Sequence, residues 1–397
     1  MKKLIILPFL CSLIFANDLN LLNKDKKELR EVEKKIIQED YKSLKNSWIS
    51  PLNLNSGLSR THSFSDKNDQ FSKSVSIGFT QSIYESGGIE FTIEYANEKY
   101  KSDLLSWEND NSTLLEKIYE TLLQIKKLNI QLEQNEYQLK NKNIELVLKK
   151  IQYENGKSDI TELNDAIMAK NIQYKTNVDL KNSIKEAKLN LEKYTNLKYE
   201  QINLIDFEKI KKDDYLKKNI NLLYEKSLVD LANINYKKDK TDYLPKVNLS
   251  TNLAYSNNDN LVNNIQSDNS NGSISLNLSV PIYDINKKSN LEKSKLEVLK
   301  QKLNLSDIKT QVSNKYEEAI TRIDTYENYN KIINENIKLY DDLIQVNEAS
   351  NSAGMSSGYD LEILKNTKKI NQYDLSINDI NIQLEYAKLY FNTKVNN

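Results

Sequence analysis

The chain has 397 residues, with 56 Lys and Arg against 56 Asp and Glu, so its formal net charge is zero. Charges of both signs are interspersed along helical patterns, which excludes a basic stripe for nucleic acid and an acidic tail. With only 8 glycines and 4 prolines, long uninterrupted helices are expected in place of a loop-rich globule.

Residues 1–16 read as a secretory signal: Lys2 and Lys3 precede an apolar run from Leu4 to Phe15, and Ala16 supplies the small residue for cleavage. Ile14 is an unusual residue at the −3 position. Cys11, the only cysteine, follows Phe9-Leu10 and lacks the small residues that precede a lipidated cysteine, so it reads as part of the discarded signal. The exported chain is then expected to carry no disulfide and no thiolate metal site. No later run approaches the roughly 18 apolar residues of a membrane helix; an exported chain without one can still cross a membrane as β-strands.

Beyond the signal the chain carries one pattern twice, about 198 residues apart, and repeats of this kind set the architecture. In the first copy Ile49 to Leu52 opens a strand and Phe71 to Ile83-Tyr84 forms a second. In the second copy Leu244 to Val247 opens a strand and Ile274 to Ile282-Tyr283 forms the next. Phe71, Val75, Ile77, Phe79 and Ile83 alternate with serines, Gly78 and Thr80; Ile274, Leu276, Leu278 and Val280 alternate with serines and Asn277. Such alternation is the transmembrane-barrel signature, and a half-buried strand of a soluble sheet gives the same signal. Polar segments, Thr61 to Gln70 and Ser256 to Asn271, are expected as loops joining each pair. Trp48, Tyr84, Tyr243 and Tyr283 stand at the opposite ends, where an interfacial aromatic girdle belongs. Pro51, Pro245 and Pro281 fall at strand ends, where proline is tolerated. Four strands cannot close a barrel, which takes about eight or more. An open edge in lipid leaves backbone groups unpaired, so other copies are required to complete it.

The helical segments carry heptads. Ile118, Ile125, Leu132, Leu139, Leu146 and Tyr153 form one series, and Leu123, Ile130, Tyr137, Ile144 and Ile151 another, on nearly opposite sides of one helix. The pattern from Leu104 to Tyr153 would span roughly 75 Å at 1.5 Å per residue. In the second copy Leu291, Val298, Leu305, Val312, Ala319, Tyr326, Ile333 and Tyr340 recur every seven residues. Tyr316, Ile323, Ile337 and Ile344 form a further series, interrupted by Asn330. Helices with two seams can join a neighbour on each side into a wall or cylinder; an ordinary helical bundle or solenoid is the competing reading. Gly156 and Gly354 end these patterns as C-caps, with second helices starting near Ser158 and Ser356.

With these elements in this order, the chain resembles the TolC-like outer membrane efflux protein family (outer membrane factors). The resemblance rests on Leu244-Pro-Lys-Val-Asn-Leu-Ser250, Leu278-Ser-Val-Pro-Ile-Tyr283, and Gln81-Ser-Ile-Tyr84 with Gly87-Gly88. It rests also on Tyr153-Glu-Asn-Gly156 with Ile160-Thr-Glu-Leu163, and on Gly354 with Tyr359-Asp-Leu361. It implies an α+β membrane protein, a trimer whose 12-stranded transmembrane β-barrel, four strands per chain, is continuous with a long periplasmic α-helical barrel. Residues 17–200 and 201–397 would be two structural repeats, each a helix, two strands and long helices. Leu19 to Ser47 would be the first helix, and the helical region Ile202 to Lys240 part of an equatorial belt. The family implies a passive channel in the outer membrane of a Gram-negative bacterium, extending into the periplasm. It would be the exit duct of a tripartite efflux pump or type I secretion system. Its partners would be two further copies, a periplasmic adaptor (membrane fusion) protein, an RND, ABC or MFS inner membrane pump, and outer membrane lipid. By matching positions, Thr161, Glu162, Tyr359 and Asp360 are candidates for a periplasmic gate and selectivity ring. The turns Asn155-Gly156-Lys157 and Ala353-Gly354-Met355 are candidates for adaptor-docking tips. The chain departs from the family pattern at Ser82, in place of a strand-end proline, and at Asn286-Lys287, in place of a second glycine pair. Glu362 stands near a second gate position but out of register.

No catalytic constellation, cofactor or metal site is expected. His62, the only histidine, is expected in an outer loop, and Gly87-Gly88 lacks the partners of a phosphate loop. An exported coiled-coil tether explains the heptads but not the four strands; a surface adhesin explains export but not two matched acidic turns.

Overall fold

A computed structural model describes residues 19–65, 68–355 and 357–394. The expected signal 1–16 with Cys11, and Ser356, lie outside the described residues. A 3-10 turn at Leu19–Leu21 leads into helix α1 (Lys24–Lys45), strands β1 (Asn53–Ser63) and β2 (Asn68–Tyr84), and helices α2 (Gly88–Glu154) and α3 (Ile160–Glu192). A second 3-10 turn, Tyr199–Gln201, precedes α4 (Lys212–Lys218) and α5 (Ile220–Thr241). Strands β3 (Lys246–Asn260) and β4 (Ile265–Ser279) and helices α6 (Lys287–Ser352) and α7 (Gly358–Phe391) complete the order. The described residues form two compact units: 19–32, 107–222 and 309–394 in one, Glu33–Ser106 and Leu223–Ile308 in the other.

The second unit contains a four-stranded antiparallel sheet in the order β1-β2-β3-β4. Its strands reach further than alternation alone indicates. Thr61 to Ser63 and Asn68 to Gln70 pair across the first hairpin, and Ser256 to Asn260 pair with Ile265 to Asn269 across the second. The expected long loops are therefore mostly strand. Polar residues on both faces erase the period-two signal there, while side chains bridge the strands: Arg60 Nε donates to Asp69 at 2.9 Å, and Asn257 Nδ2 to Asp268 at 2.6 Å. His62, expected in a loop, lies in β1 opposite Asp69. At the other ends the strands are shorter than expected. β1 begins at Asn53, β3 at Lys246, and β4 stops at Ser279, so Ile49 to Leu52, Leu244 and Val280 to Tyr283 lie outside the ladder. The proline positions explain this, since Pro51, Pro245 and Pro281 have no N–H to donate. Trp48 and Ser50 are fastened instead by one side chain: Gln81 Nε2 donates to the Trp48 carbonyl, and its Oε1 accepts from Ser50 N–H, both at 2.9 Å. Ser86 and Gly87, at φ of 51° and 93°, form the turn from β2 into α2, and Gly88 opens the helix.

The first unit is helical around an apolar core. Tyr119, with no exposed surface, packs against Phe391 and Phe207 at ring-centroid distances of 5.4 and 5.7 Å, among Leu115, Ile118 and Leu122. Both heptad series on α2 are buried at this level: Ile118 and Ile125 from one, Leu123 from the other. The segment 202–211, expected as helix, is extended. Phe207 inserts into the core, and Gln383 holds its backbone from α7, accepting from Phe207 N–H at 2.7 Å and donating to its carbonyl at 3.3 Å. Tyr316 donates to the Ile210 carbonyl at 2.8 Å. These side chains replace the bonds a helix would have made, since buried backbone groups must be paired.

On α6 the two expected heptad series are offset by four residues and so form one stripe, which is buried at Val312, Tyr316, Ala319 and Ile323. Asn330, which interrupts it, finds partners on α7: it donates to Asp379 at 3.1 Å and accepts from Asn378 at 2.9 Å. The opposite side of α6 carries a second stripe, Tyr329, Ile332, Leu339, Leu343 and Val346, each at least half exposed. On α3, Ile160, Ile167 and Tyr174 recur every seven residues and are also exposed.

Candidate functional site

The two helix turns have the same construction. α2 ends in a Schellman motif: Gly156 N–H donates to the Tyr153 carbonyl at 2.9 Å and Lys157 N–H to that of Gln152 at 2.8 Å. α6 ends likewise, through Gly354 to Asn351 at 3.0 Å and Met355 to Ser350 at 2.9 Å. Both glycines are left-handed, with φ of 68° and 71°. Each following helix is capped by a side chain, Asp159 accepting from Glu162 N–H and Ser357 from Asp360 N–H. Glu162 and Asp360 are thus third residues of their helices, at the positive end of the helix dipole, with Thr161 and Tyr359 just before them.

The two acidic residues differ in their surroundings. The Glu162 carboxylate accepts from the Ser158 hydroxyl and from Lys149 Nζ, the latter at 3.0 Å, so it is tied to α2. The Ser158 hydrogen bond, and then Lys149, hold its carboxyl below the usual glutamate range. Asp360 shares a hydrogen bond of 2.7 Å with the Ser357 hydroxyl within its own turn. Cross-helix ion pairs on α6 and α7 lie further from the turn: Lys365 to Glu348 at 2.7 Å, and Lys368 to Asp341. Met355 at the second turn is 78 % exposed. Lys149, seven residues before Gly156, is a neighbour of candidate Glu162 that position matching does not indicate.

The sheet offers two chemically distinct faces, because directly paired residues share a face. On one, Leu54, Ile77, Leu253 and Gly272 form a row, followed toward the hairpins by Ser56, Val75, Tyr255 and Ser270. On the other, the corresponding rows are Asn53, Gly78, Asn252 and Ser273, then Asn55, Ser76, Ala254 and Asn271. The exposed apolar side chains, with Leu54 at 70 % and Leu276 at 66 %, have no covering layer in a single chain. β1 and β4 are both free edges among the described residues.

A family model described as "Outer membrane efflux protein" matches residues 31–197 and 213–381. The chain belongs to the outer membrane efflux protein family. This efflux protein is an exit channel of the outer membrane that extends into the periplasm, and its mostly helical fold with one four-stranded antiparallel sheet is the TolC-like channel fold. It is similar to the outer membrane protein VceC of Vibrio cholerae, with a TM-score of 0.74 and 12 % identity, covering 94 % of each chain. It is also similar to the CmeC outer membrane channel of Campylobacter jejuni, with a TM-score of 0.71 and 13 % identity over 95 % of this chain and 84 % of that one. The open state of the MtrE outer membrane channel of Neisseria gonorrhoeae gives 0.64 and 13 %, covering 95 % and 87 %. No curated protein matches at significance. Among the described residues no helix of this efflux protein is long and apolar enough to cross a membrane.

Proposed function

We propose that three copies of this chain form the exit duct of a tripartite efflux pump or type I secretion system, passing small molecules or polypeptides from the periplasm to the exterior. The carrying observation is a four-stranded sheet with an apolar face and two free edges in a chain of this family. Such edges cannot remain open in lipid, where each unpaired backbone group costs several kcal/mol. Three copies give a closed ladder of twelve strands. The exposed stripes on α3 and α6 support the same reading, since each needs a partner helix. Residues 17–200 and 201–397 act as two structural repeats, a division supported by the two separately matched segments. The duct performs no chemistry; a periplasmic adaptor and an inner membrane pump of the RND, ABC or MFS type supply energy and choose cargo. Thr161, Glu162, Tyr359 and Asp360 form the periplasmic gate and selectivity ring. Asn155, Gly156, Lys157, Ala353, Gly354 and Met355 present the adaptor-docking tips. Outer-membrane fractions should yield a heat-modifiable trimer band, and the purified trimer should conduct in planar bilayers. A monomer in the soluble periplasm would sink the proposal.

A further inference from the structure

The sheet separates charge between its faces. On the face of Ser76 and Asn252, every position from Asn53 to Ser63, Gln70 to Ser82, Asn248 to Asn260 and Ile265 to Ser279 is serine, threonine, asparagine, glutamine, glycine or alanine, Ile265 excepted. The one charge there, Lys246, opens β3 and is paired with Asp242 at 2.8 Å. The strand charges nearer the hairpins, Arg60, Asp69, Lys73, Asp259 and Asp268 among them, lie on the opposite face. On that face they begin where the apolar rows end, with Lys73 paired to Asp259 at 3.5 Å and Arg60 to Asp69. The apolar rows run from Val247 to Tyr255, roughly 27 Å at 3.4 Å per residue, close to the hydrocarbon band of a membrane barrel.

We infer that the serine- and asparagine-bearing face lines the lumen of the barrel as a charge-free wall, so that hydrophilic solutes of either sign pass it alike. Charge discrimination is then left to the helical turns. This rests on the duct reading, which makes one face lumenal. Lipid opposes charge on the apolar face, whereas a wet lumen would tolerate it, so the absence of charge there is a property of the wall and not of burial. The wall's polar groups also bond to one another: Thr80 and Ser250 hydroxyls lie 3.1 Å apart, Ser82 donates to Asn248 at 2.6 Å, and Asn277 to Ser275 at 3.2 Å. These bonds tie six of the wall's polar side chains to one another.

Single cysteines test this, since the only native cysteine, Cys11, lies in the signal segment that export discards. Ser76→Cys, Asn252→Cys and Ser275→Cys trimers in planar bilayers are treated with membrane-impermeant anionic and cationic methanethiosulfonates. Val75→Cys and Leu253→Cys serve as lipid-side controls, and the heat-modifiable trimer band reports folding. All three wall thiols should react, and the ratio of anionic to cationic rates should match that of a free thiol within about twofold. One carboxylate about 6 Å away in water would displace that ratio about tenfold. A tenfold displacement at any wall position overturns the neutral wall. Reaction at Val75→Cys and Leu253→Cys in place of the wall positions overturns the face assignment. Reaction at all five in a preparation with no conductance overturns the duct reading itself, and is distinguished from the other outcomes by that loss.

Discussion

Glu162 and Lys149 are joined across the first helix turn at 3.0 Å, whereas among the described residues no cation pairs with Asp360 at the second. The two candidate gate carboxylates therefore present unequal fields, because a nearby lysine offsets most of the charge of one of them. Asp360→Asn should reduce the cation preference of the channel more than Glu162→Gln, and Lys149→Gln should increase it. Reversal potentials in a salt gradient measure all three. Equal effects of the two acidic variants would remove the asymmetry.

The same contacts set a pH dependence. The Glu162 carboxyl is held below its ordinary value by Ser158 and Lys149. A depressed carboxyl contributes stability that is full above the unfolded value, near 4.5, and is lost as pH falls through the lower folded value. The Glu162 charge should persist at pH 4.5, where an unperturbed glutamate is half protonated. In Lys149→Gln it should titrate closer to the ordinary range, followed by the carboxyl resonance of selectively labelled glutamate.

Gly354 has φ of 71° and open space around the position of an added Cβ. Gly354→Ala should cost about 1 kcal/mol from backbone strain alone. The effect should be local: hydrogen exchange of the Met355 amide, bonded to the Ser350 carbonyl, should quicken about fivefold while the trimer melting temperature stays unchanged. Gly354→Asn should be tolerated better, since asparagine accepts the left-handed region.

Glu116 on α2 is raised from 4.5 to about 7, mainly by burial and then by Glu120. The native state holds this proton more tightly than the unfolded chain. Its contribution is greatest below pH 4.5, falls as pH rises to about 7, and is level above that. Glu116→Gln should be the more stable form at pH 8 by about 1–2 kcal/mol after solvent screening, and equal to the parent at pH 4. Thermal melts at the two pH values decide it; a variant less stable at pH 8 would refute the sign.

Leu339 and Leu343 are 60 % and 50 % exposed on the outer stripe of α6. Placing aspartate at both should abolish the heat-modifiable trimer band, because a partner helix would bury two unpaired charges. The same substitutions at Lys331 and Lys338, which lie off that stripe, should leave the band intact.

Much of the fold was legible in the chain because it depends on period. Val75, Ile77 and Phe79 mark a strand by alternation, Ile118 and Ile125 a helix by sevens, and Gly156 and Gly354 end helices that nothing else interrupts. Where period fails, the local pattern marks no element. Ser256 to Asn260 looked like loop because both faces are polar, yet they pair with β4 along their whole length. His62 looked loop-bound for the same reason. The gate candidates come from matched positions, but Lys149, which alters Glu162, stands 13 residues before it on the other side of the turn and carries no motif.

By itself the sequence determined the doubled order of elements, the two-faced strands and the paired helix turns, since propensity and burial pattern act over a few neighbouring residues. Only the tertiary structure decided that segment 202–211 is extended, that one α6 stripe is covered while its opposite is bare, and that Glu162 has a lysine partner and Asp360 does not. Each of those depends on a side chain from another element, such as Gln383 replacing a helical hydrogen bond at Phe207. No local pattern encodes which distant group will arrive.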